Sequence, residues 1–330
     1  IDWNSYRAKP YVLPEEYHPT RWIGETAVRF INAYDEPSPF LLKVSFERPH
    51  SPYDPPQRFW DIYNDREMPD AHVGEWSEEW YGDFTNQKPY TLARGNLGPQ
   101  QIRRSRQGYY GSISFIDYQF GRILNALESR GLLENTLILF TADHGDMLGD
   151  HHLWRKTYAY EGSARIPLII RWPESMPTAP RGQHLREPVE LRDVAPTFLD
   201  AAHLAIPESV EGGSLLQLIR GETDDWREYV DLEHTTTYFD ENAWNALADG
   251  EWKYIWHAYL GEEQLFYLQE DPGETRDLSP VTGYSAELQK WRNRMFDHLA
   301  VRGSPWVENG QPGVRKEKIL LGPNYPGEQS

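Results

Sequence analysis

Two side chains that could bind a metal ion follow an apolar run near the middle of the chain. Residues 137–140 read Leu-Ile-Leu-Phe, and Asp143 and His144 begin three positions later. An Asp at the end of a buried strand offers the hard oxygen donors that Ca²⁺ and Mg²⁺ prefer, and the adjacent His adds a nitrogen. The alternative is that Asp143 caps the next segment and His144 packs beside it, since Asp is common in caps and turns. The dipeptide alone favours this second interpretation.

A histidine and a pair of cations are the other candidates for chemistry. His50 follows the apolar run 40–46 and Pro49, where it could act as a general acid or orient a leaving group. Arg155 and Lys156 are adjacent cations in an acidic chain and could clamp an anion. Each feature also has an ordinary explanation, namely a loop histidine beneath Pro-rich sequence and a solvated basic pair. The residue types alone leave both explanations open.

Composition and spacing exclude several classes of function. The 330 residues carry 33 Lys and Arg against 51 Asp and Glu, a net charge of -18. This argues against nucleic acid as a partner, because phosphate binding needs a basic face. The chain has no Cys, which excludes disulfides, thiolate zinc sites and cysteine nucleophiles within it. No apolar run approaches the length of a membrane span.

The adjacent side chains of residues 150–152 do not readily turn toward one metal ion, so a structural role is favoured for them.

Alternating patterns predict an α/β fold for the first two thirds of the chain. Apolar runs with the length of buried strands lie at 40–46, 136–141 and 166–172. Periodic apolar stripes predict helices at 20–34, with Thr20 as the N-cap, and at 99–130 and 192–202. This alternation is typical of a parallel sheet, whose strand ends open into the main crevice. The aperiodic stretch 51–97 is expected to be a long surface excursion. Its Trp-rich part, from Trp60 to Tyr90, is a candidate to line a sugar cleft, and core packing is the equal alternative for Trp76 and Trp80.

The character of the sequence changes near Gly221. Short β-type runs follow at 229–233, 243–247, 252–256 and 265–268, and a helix is expected at 285–301. This pattern predicts a smaller α+β unit with an antiparallel sheet.

Five segments stand in the order and spacing of one known family. They are PFLLKVSFERPHSPYDPP, FTADHGDMLGDHHLWRKTYAYEGSARIPLIIRWP, LRDVAPTFLDAA, DGEWKYIW and EEQLFYLQEDPGETRDLS. Together they resemble the sulfatases, the formylglycine-dependent, calcium-containing branch of the alkaline phosphatase superfamily, over nearly the whole chain. The resemblance implies an alkaline-phosphatase-like sandwich with a mostly parallel central sheet, of which residues 1–221 form part. Residues 222–330 would form the C-terminal subdomain.

The resemblance also implies roles for the candidate residues. Asp143 and His144 would be two of the calcium ligands, Lys156 would contact the sulfate and leaving oxygens, and His50 would assist departure of the alcohol. A divalent ion with Lys and His donors can stabilise the charge of a sulfate ester as its S–O bond breaks. Less directly, Arg155, Glu233 and His234 are expected to contribute to substrate binding at the cleft rim.

Part of the family pattern is missing from this sequence. The Cys- or Ser-x-Pro-x-Arg segment, whose first residue becomes formylglycine, does not occur, and neither does the early Asp-Asp pair that supplies further calcium ligands. A complementary N-terminal polypeptide carrying the nucleophile is therefore expected as a partner. The substrate would be a sulfated small molecule or glycan, and a carbohydrate sulfate ester is favoured. Family habit implies a periplasmic or secreted protein.

Two other functions fit the same segments. A phosphodiesterase or phosphonate monoester hydrolase of the superfamily would share the fold and much of the Asp-His-Gly region. A non-catalytic binding protein on a decayed sulfatase fold would explain the missing nucleophile, although His50, Asp143, His144 and Lys156 are all retained.

Overall fold

A computed structural model describes residues 6–81, 93–176, 181–223, 225–235, 237 and 240–317. The helices are α1 (Pro19–Ala33), α2 (Gln57–Asp61), α3 (Glu75–Tyr81), α4 (Pro99–Ser129), α5 (Glu161–Ala164), α6 (Val194–Ala201), α7 (Leu215–Arg220) and α8 (Ser285–Ala300). The strands are β1 (Ile138–Thr141), β2 (Leu168–Arg171), β3 (Val230–His234), β4 (Trp244–Ala248), β5 (Trp252–His257), β6 (Glu262–Tyr267), β7 (Val307–Glu308) and β8 (Gln311–Pro312).

Helices α1 and α4 pack side by side and build the core beneath the candidate site. Ala27 and Ile31 of α1 meet Ile123 and Leu127 of α4 in one buried cluster. The sequence predicts a buried stripe on α1 made of Trp22, Ile23, Ala27, Phe30 and Ile31. This is wrong at Trp22 and Phe30, which are 63% and 37% exposed, because α1 contacts α4 through small residues such as Ala27 instead.

The start of α1 differs from the predicted cap. His18 is the N-cap, and its side chain accepts a hydrogen bond from the Thr20 backbone N–H, with Pro19 at the first helical position. A proline there lacks only an N–H that would have no intrahelical partner. The prediction of Thr20 as the cap is therefore wrong by two residues.

The first sheet has two strands that run antiparallel. Ile138 pairs with Arg171, and Thr141 pairs with Leu168. The strand–helix alternation predicts parallel strands, and for this pair that expectation is wrong. A parallel crossover usually needs a helix of several turns, whereas the connection between β1 and β2 holds α5, a helix of only four residues.

Residues 40–46 have the burial pattern of a strand but no strand partner in the described part of the chain. Phe40, Leu42, Val44 and Phe46 pack against the α1–α4 core, while the residues between them are exposed. Burial with period two is that of an extended strand whose one face is covered. The predicted strand is thus an extended segment that no described neighbour pairs with by a backbone ladder.

The second sheet confirms the antiparallel prediction for the C-terminal part. Strands β3 to β6 pair in chain order as a meander, and every neighbouring pair is antiparallel. Its one face covers the loop region 147–160 through Trp244, Ile255 and Phe266. Its other face packs on α8 through Tyr254 and Trp291. The sheet is therefore buried on both sides and supports the loop that carries Lys156.

In the described ranges, the helices are too short or too polar to cross a membrane.

Candidate active site

One large cleft collects the candidate residues of the first domain. Its volume is about 2640 Å³, and its wall includes the extended segment 40–46 and strand β1. His50, Asp143, His144 and Lys156 all line it. The structure thus brings together four side chains that are up to 106 positions apart in sequence, as the motifs predict.

His50 and Lys156 are in direct contact. The Lys156 Nζ lies 2.9 Å from His50 Nε2, and His50 Nδ1 lies 2.8 Å from the Ser51 carbonyl oxygen. Because a carbonyl only accepts, Nδ1 carries the hydrogen and Nε2 offers its lone pair to the Lys156 ammonium. Burial, and then the Lys156 charge, lower the pKa of His50. The pair therefore places one cation and one polar imidazole side by side on the cleft wall.

Asp143 and His144 form the second half of the site. The Asp143 carboxylate is 86% exposed, and its Oδ2 lies 3.7 Å from His144 Nε2. His144 Nδ1 lies 2.7 Å from the Gly145 carbonyl oxygen, so the hydrogen is on Nδ1 and Nε2 presents a lone pair. An exposed carboxylate beside an imidazole that a backbone carbonyl orients is a donor set of the kind that binds metals.

The Asp143–Gly145 turn is held from below by a partly buried carboxylate. Asp146 accepts hydrogen bonds from the Leu148 and Arg155 backbone N–H groups at 3.0 and 2.9 Å, and from the Tyr53 hydroxyl at 2.8 Å. Burial raises the pKa of Asp146, and these three donors oppose that effect. Asp146 thus fastens together the turn and the segment that delivers Lys156.

Two protein-family models match this chain. The sulfatase family model matches residues 2–204, and the model for the C-terminal part of N-sulphoglucosamine sulphohydrolase matches residues 149–300. The chain belongs to the sulfatase family.

Relatives and solved structures agree with this family. An arylsulfatase of Clostridium perfringens is 38% identical over 94% of the chain, which spans 64% of that protein's length. The phosphonate monoester hydrolase of Agrobacterium radiobacter has the same fold, with a TM-score of 0.76 and 22% identity over 96% of the chain and 68% of its own. A protein solved with its substrate D-glucosamine-2-N,6-O-disulfate superposes with a TM-score of 0.70 and 21% identity, covering 87% of the chain and 71% of its own. The sulfatase fold is therefore shown over most of the chain.

Sulfatases use a metal ion, and the described residues supply part of a site for one. Asp143 offers an exposed carboxylate oxygen and His144 an oriented lone pair, which are donors of the types that a metal ion takes. Within the described ranges, His, Asp and Glu side chains form no group of three or more that could hold a metal ion. The donor set is thus compatible with a metal but incomplete.

The loop that delivers Lys156 to the sulfatase cleft is strained. Five residues other than glycine have positive φ within ten positions: Leu148, His151, His152, Arg155 and Thr157. Such residues each cost about 1 kcal/mol or more. The C-terminal sheet opposes this cost, because Trp244 Nε1 donates to the Thr157 carbonyl at 2.9 Å and Asn242 Nδ2 donates to the Thr157 hydroxyl at 3.0 Å. Strain of this kind is common at functional sites.

Arg155 lines the cleft, yet most of its side chain is buried. It is 4% exposed, and its guanidinium carbon lies 5.2 Å from the Tyr6 ring centroid. This contact is a cation–π interaction, so Arg155 supports the wall of the sulfatase cleft. Its contribution to substrate binding stays a prediction.

Glu233 and His234 lie apart from the cleft wall. Glu233 pairs with Arg302 at 2.5 Å, and His234 Nδ1 lies 2.9 Å from the Asn242 carbonyl oxygen. Neither residue lines the cleft that holds His50 and Lys156. His234 is linked to Thr157 through Asn242 and through Trp244, on which its ring stacks, whereas Glu233 contacts Arg302 and Asn245. Their binding role stays a prediction.

The Trp-rich stretch serves mainly as core. Trp60 and Trp76 are 7% and 9% exposed, and Trp76 packs on Tyr160 with ring centroids 4.9 Å apart. The idea that these two rings line a sugar cleft is therefore wrong, because burial against other aromatic rings leaves no face for a sugar. Trp80 packs on Trp76 and His257, with ring centroids 6.4 and 4.4 Å apart. Residues 82–90 of that stretch lie outside the described residues.

Sequence reasoning missed two cleft residues. Tyr109 lines the cleft, and burial together with the carboxylates of Asp146 and Asp143 raises its pKa. Glu161 also lines the cleft, at the start of α5. Tyr109 lies outside the five family segments, and Glu161 lies within the second one without a residue pattern that marks it, so their places in the folded chain reveal them.

Proposed function

We propose that this chain hydrolyses sulfate esters and releases inorganic sulfate. The observation that carries the proposal is the Lys156–His50 contact of 2.9 Å on the same cleft wall as Asp143 and His144. A sulfate ester concentrates negative charge on its non-bridging oxygens, and charge on the bridging oxygen grows as the S–O bond breaks. Donors already held in place stabilise that charge without reorganisation at the moment of reaction.

Each polar group has a distinct task. The Lys156 ammonium donates to the sulfate and to the leaving oxygen, as its exposure to the cleft allows. His50, whose Nδ1 hydrogen is held by the Ser51 carbonyl, accepts a hydrogen bond from the Lys156 ammonium at Nε2 and so directs the remaining ammonium hydrogens toward the leaving oxygen. Asp146 and the turn above it keep these groups in register. We place the enzyme in the periplasm or outside the cell, as is the habit of this family.

We also propose that Asp143 and His144 would hold calcium. The carboxylate is a hard oxygen donor, which calcium prefers over softer ligands. When bound, the ion would neutralise charge on the sulfate group. Since calcium takes 6–8 ligands, the two described donors require further ligands from elsewhere.

A complementary polypeptide would supply these ligands and the formylglycine nucleophile. Two features support it: the apolar cleft, bordered by the extended segment 40–46, and the chain's 64% coverage of the arylsulfatase relative. An extended segment without a described ladder offers its backbone N–H and C=O groups to an added strand. A strand placed there would end beside His50, where a nucleophile is needed.

The substrate we favour is a carbohydrate sulfate ester. The support is one structural neighbour, which was solved with a disulfated glucosamine.

The test compares three substrates on the chain completed by its partner polypeptide: a matched aryl sulfate, an aryl phosphodiester and an aryl phosphonate monoester. We expect the sulfate to react fastest, and Lys156→Met to lower kcat/KM by about 100-fold or more, as loss of an oxyanion donor does. Lys290→Met is the matched control, because Lys290 is an exposed lysine on α8 that does not line the cleft. Faster phosphodiester or phosphonate turnover would assign the site to those hydrolases instead. Absence of turnover with all three would leave a binding protein.

A further inference from the structure

A buried lysine joins the C-terminal sheet to the helix turn beside the candidate site. Lys253 of β5 is 1% exposed, and its Nζ lies 2.6 Å from Glu161 Oε1 and 2.8 Å from Glu274 Oε1. Glu274 is also 1% exposed, and its Oε2 accepts the Glu161 backbone N–H at 2.7 Å. The three residues therefore form a closed triad with one cation and two carboxylates.

The triad reaches the metal-binding turn through α5. Glu161 begins this four-residue helix, and the Ser163 carbonyl within it accepts the Gly145 backbone N–H at 2.8 Å. Gly145 also packs tightly on Gly162, where a Cβ added to Gly145 would clash with the Gly162 carbonyl. Any shift of α5 is thus passed directly to the turn that carries Asp143 and His144.

Stability alone does not call for this arrangement. Burying charges costs more than burying apolar side chains of the same volume, so a buried ion pair is weak evidence for stabilisation. The contacts of Glu274 are specific, because its two carboxylate oxygens bind different groups, the Lys253 ammonium and the Glu161 amide. The Glu274 backbone carbonyl also accepts from Trp76 Nε1 at 2.9 Å, which fixes it against α3.

The ionisation of the triad agrees with a shared cation. Burial raises the pKa of Glu274 to about 7, although Lys253 acts in the opposite direction. The two carboxylates raise the pKa of Lys253 despite its burial. The lysine therefore stays charged while it bridges the two acids.

We propose that Lys253 and Glu274 are positioning residues, which hold α5 so that the Asp143–Gly145 turn keeps the geometry needed for sulfate-ester hydrolysis. The role of the turn in the reaction rests on the proposed function. The mechanical link between the triad and the turn is independent of it.

Amide hydrogen exchange at Gly145 tests the link without any substrate. Glu274→Gln keeps the side-chain shape and removes the charge, and Lys253→Met is the more severe variant. We expect exchange at Gly145 to become faster by on the order of tenfold, the effect of losing one charge-assisted hydrogen bond. The matched control is Arg292→Met, which breaks the Arg292–Glu263 pair between α8 and β6. Exchange within α8, which lies across the sheet from the triad, reports global opening.

The outcomes separate the two proposals. Faster exchange confined to Gly145 and its neighbours supports positioning, and kcat for an aryl sulfate should then fall while KM changes little. Faster exchange without sulfatase activity in any form of the protein would refute the proposed function and leave the link standing. Equal changes at Gly145 in Glu274→Gln and Arg292→Met, or a uniform rise over the whole chain, would overturn the positioning role.

Discussion

Replacing Gly145 by alanine is expected to displace the turn that carries Asp143 and His144. A Cβ on Gly145 would lie closer than 3.0 Å to the Gly162 carbonyl oxygen and 3.2 Å from its carbon. Ordinary contacts of this type begin at 3.4 Å, so the two backbones must move apart by up to about 1 Å. The obstacle is backbone rather than a flexible side chain, so it cannot simply rotate away.

The magnitude follows from two effects. Overpacking of this kind costs about 1–3 kcal/mol. The Gly145–Ser163 hydrogen bond of 2.8 Å lengthens as well, which costs about 1 kcal/mol. We therefore expect the free energy of unfolding to fall by about 2–3 kcal/mol. Catalytic groups displaced by about 1 Å typically lose about 100-fold in rate.

Urea unfolding followed by tryptophan fluorescence measures the stability change, and aryl sulfate turnover by the chain completed by its partner polypeptide measures the rate. Gly121→Ala is the matched control, because nothing lies within 4 Å of a Cβ there and Gly121 is inside α4. That variant should gain about 0.5–1 kcal/mol of stability from helix propensity. If Gly145→Ala matched the wild-type chain in both measurements, the tight packing of the turn on α5 would be refuted.

Two further predictions concern stability. Burial lowers the pKa of His257 from 6.5 to about 4, so the unfolded chain binds a proton that the folded one does not between these values. The contribution of His257 to the free energy of unfolding is therefore expected to be full above pH 6.5 and to fall by up to about 3 kcal/mol toward pH 4. In urea titrations at several pH values, His257→Asn should reduce this decrease. An unchanged pH dependence would contradict the assignment to His257. Leu42→Lys, on the covered face of segment 40–46, should cost about 2–3 kcal/mol. Leu41→Lys, at a position that is 76% exposed, should cost less than about 0.5 kcal/mol, and equal losses would refute the strand-like alternation.

Much of the secondary structure could be predicted because its pattern is local. The stripe of Ile116, Ile123 and Leu127 predicts α4, and all three are buried. The same stripe fails at Ile113, which is 43% exposed and faces the cleft rather than a helix. Strand direction could not be predicted in the same way, since the antiparallel pairing of β1 and β2 depends on a connection that holds no crossover helix.

Some features of the candidate site could likewise be predicted from local sequence, and others could not. The common location of His50, Asp143 and Lys156 in the cleft could be predicted because each stands in a recognisable segment, and their roles stay predictions. The Tyr53–Asp146 hydrogen bond joins residues 93 positions apart, and the Lys253–Glu161 pair joins residues 92 apart. No local period records such pairs, so only the folded chain shows them. The positive φ value at Thr157 is also hidden, because a β-branched residue rarely adopts it.

The strained loop 148–157 has a consequence for heat inactivation. Its five left-handed residues are held by contacts with other parts of the chain, including the Trp244 and Asn242 bonds to Thr157. When a few of these contacts open, relaxation of the strained backbone lowers the free energy of the loop by several kcal/mol. The loop should therefore unfold locally while the helices and sheets remain intact. Lys156 would then leave its place beside His50 at a temperature below the midpoint of global unfolding. On heating, catalytic activity should therefore be lost at a temperature at which the circular dichroism spectrum is still unchanged.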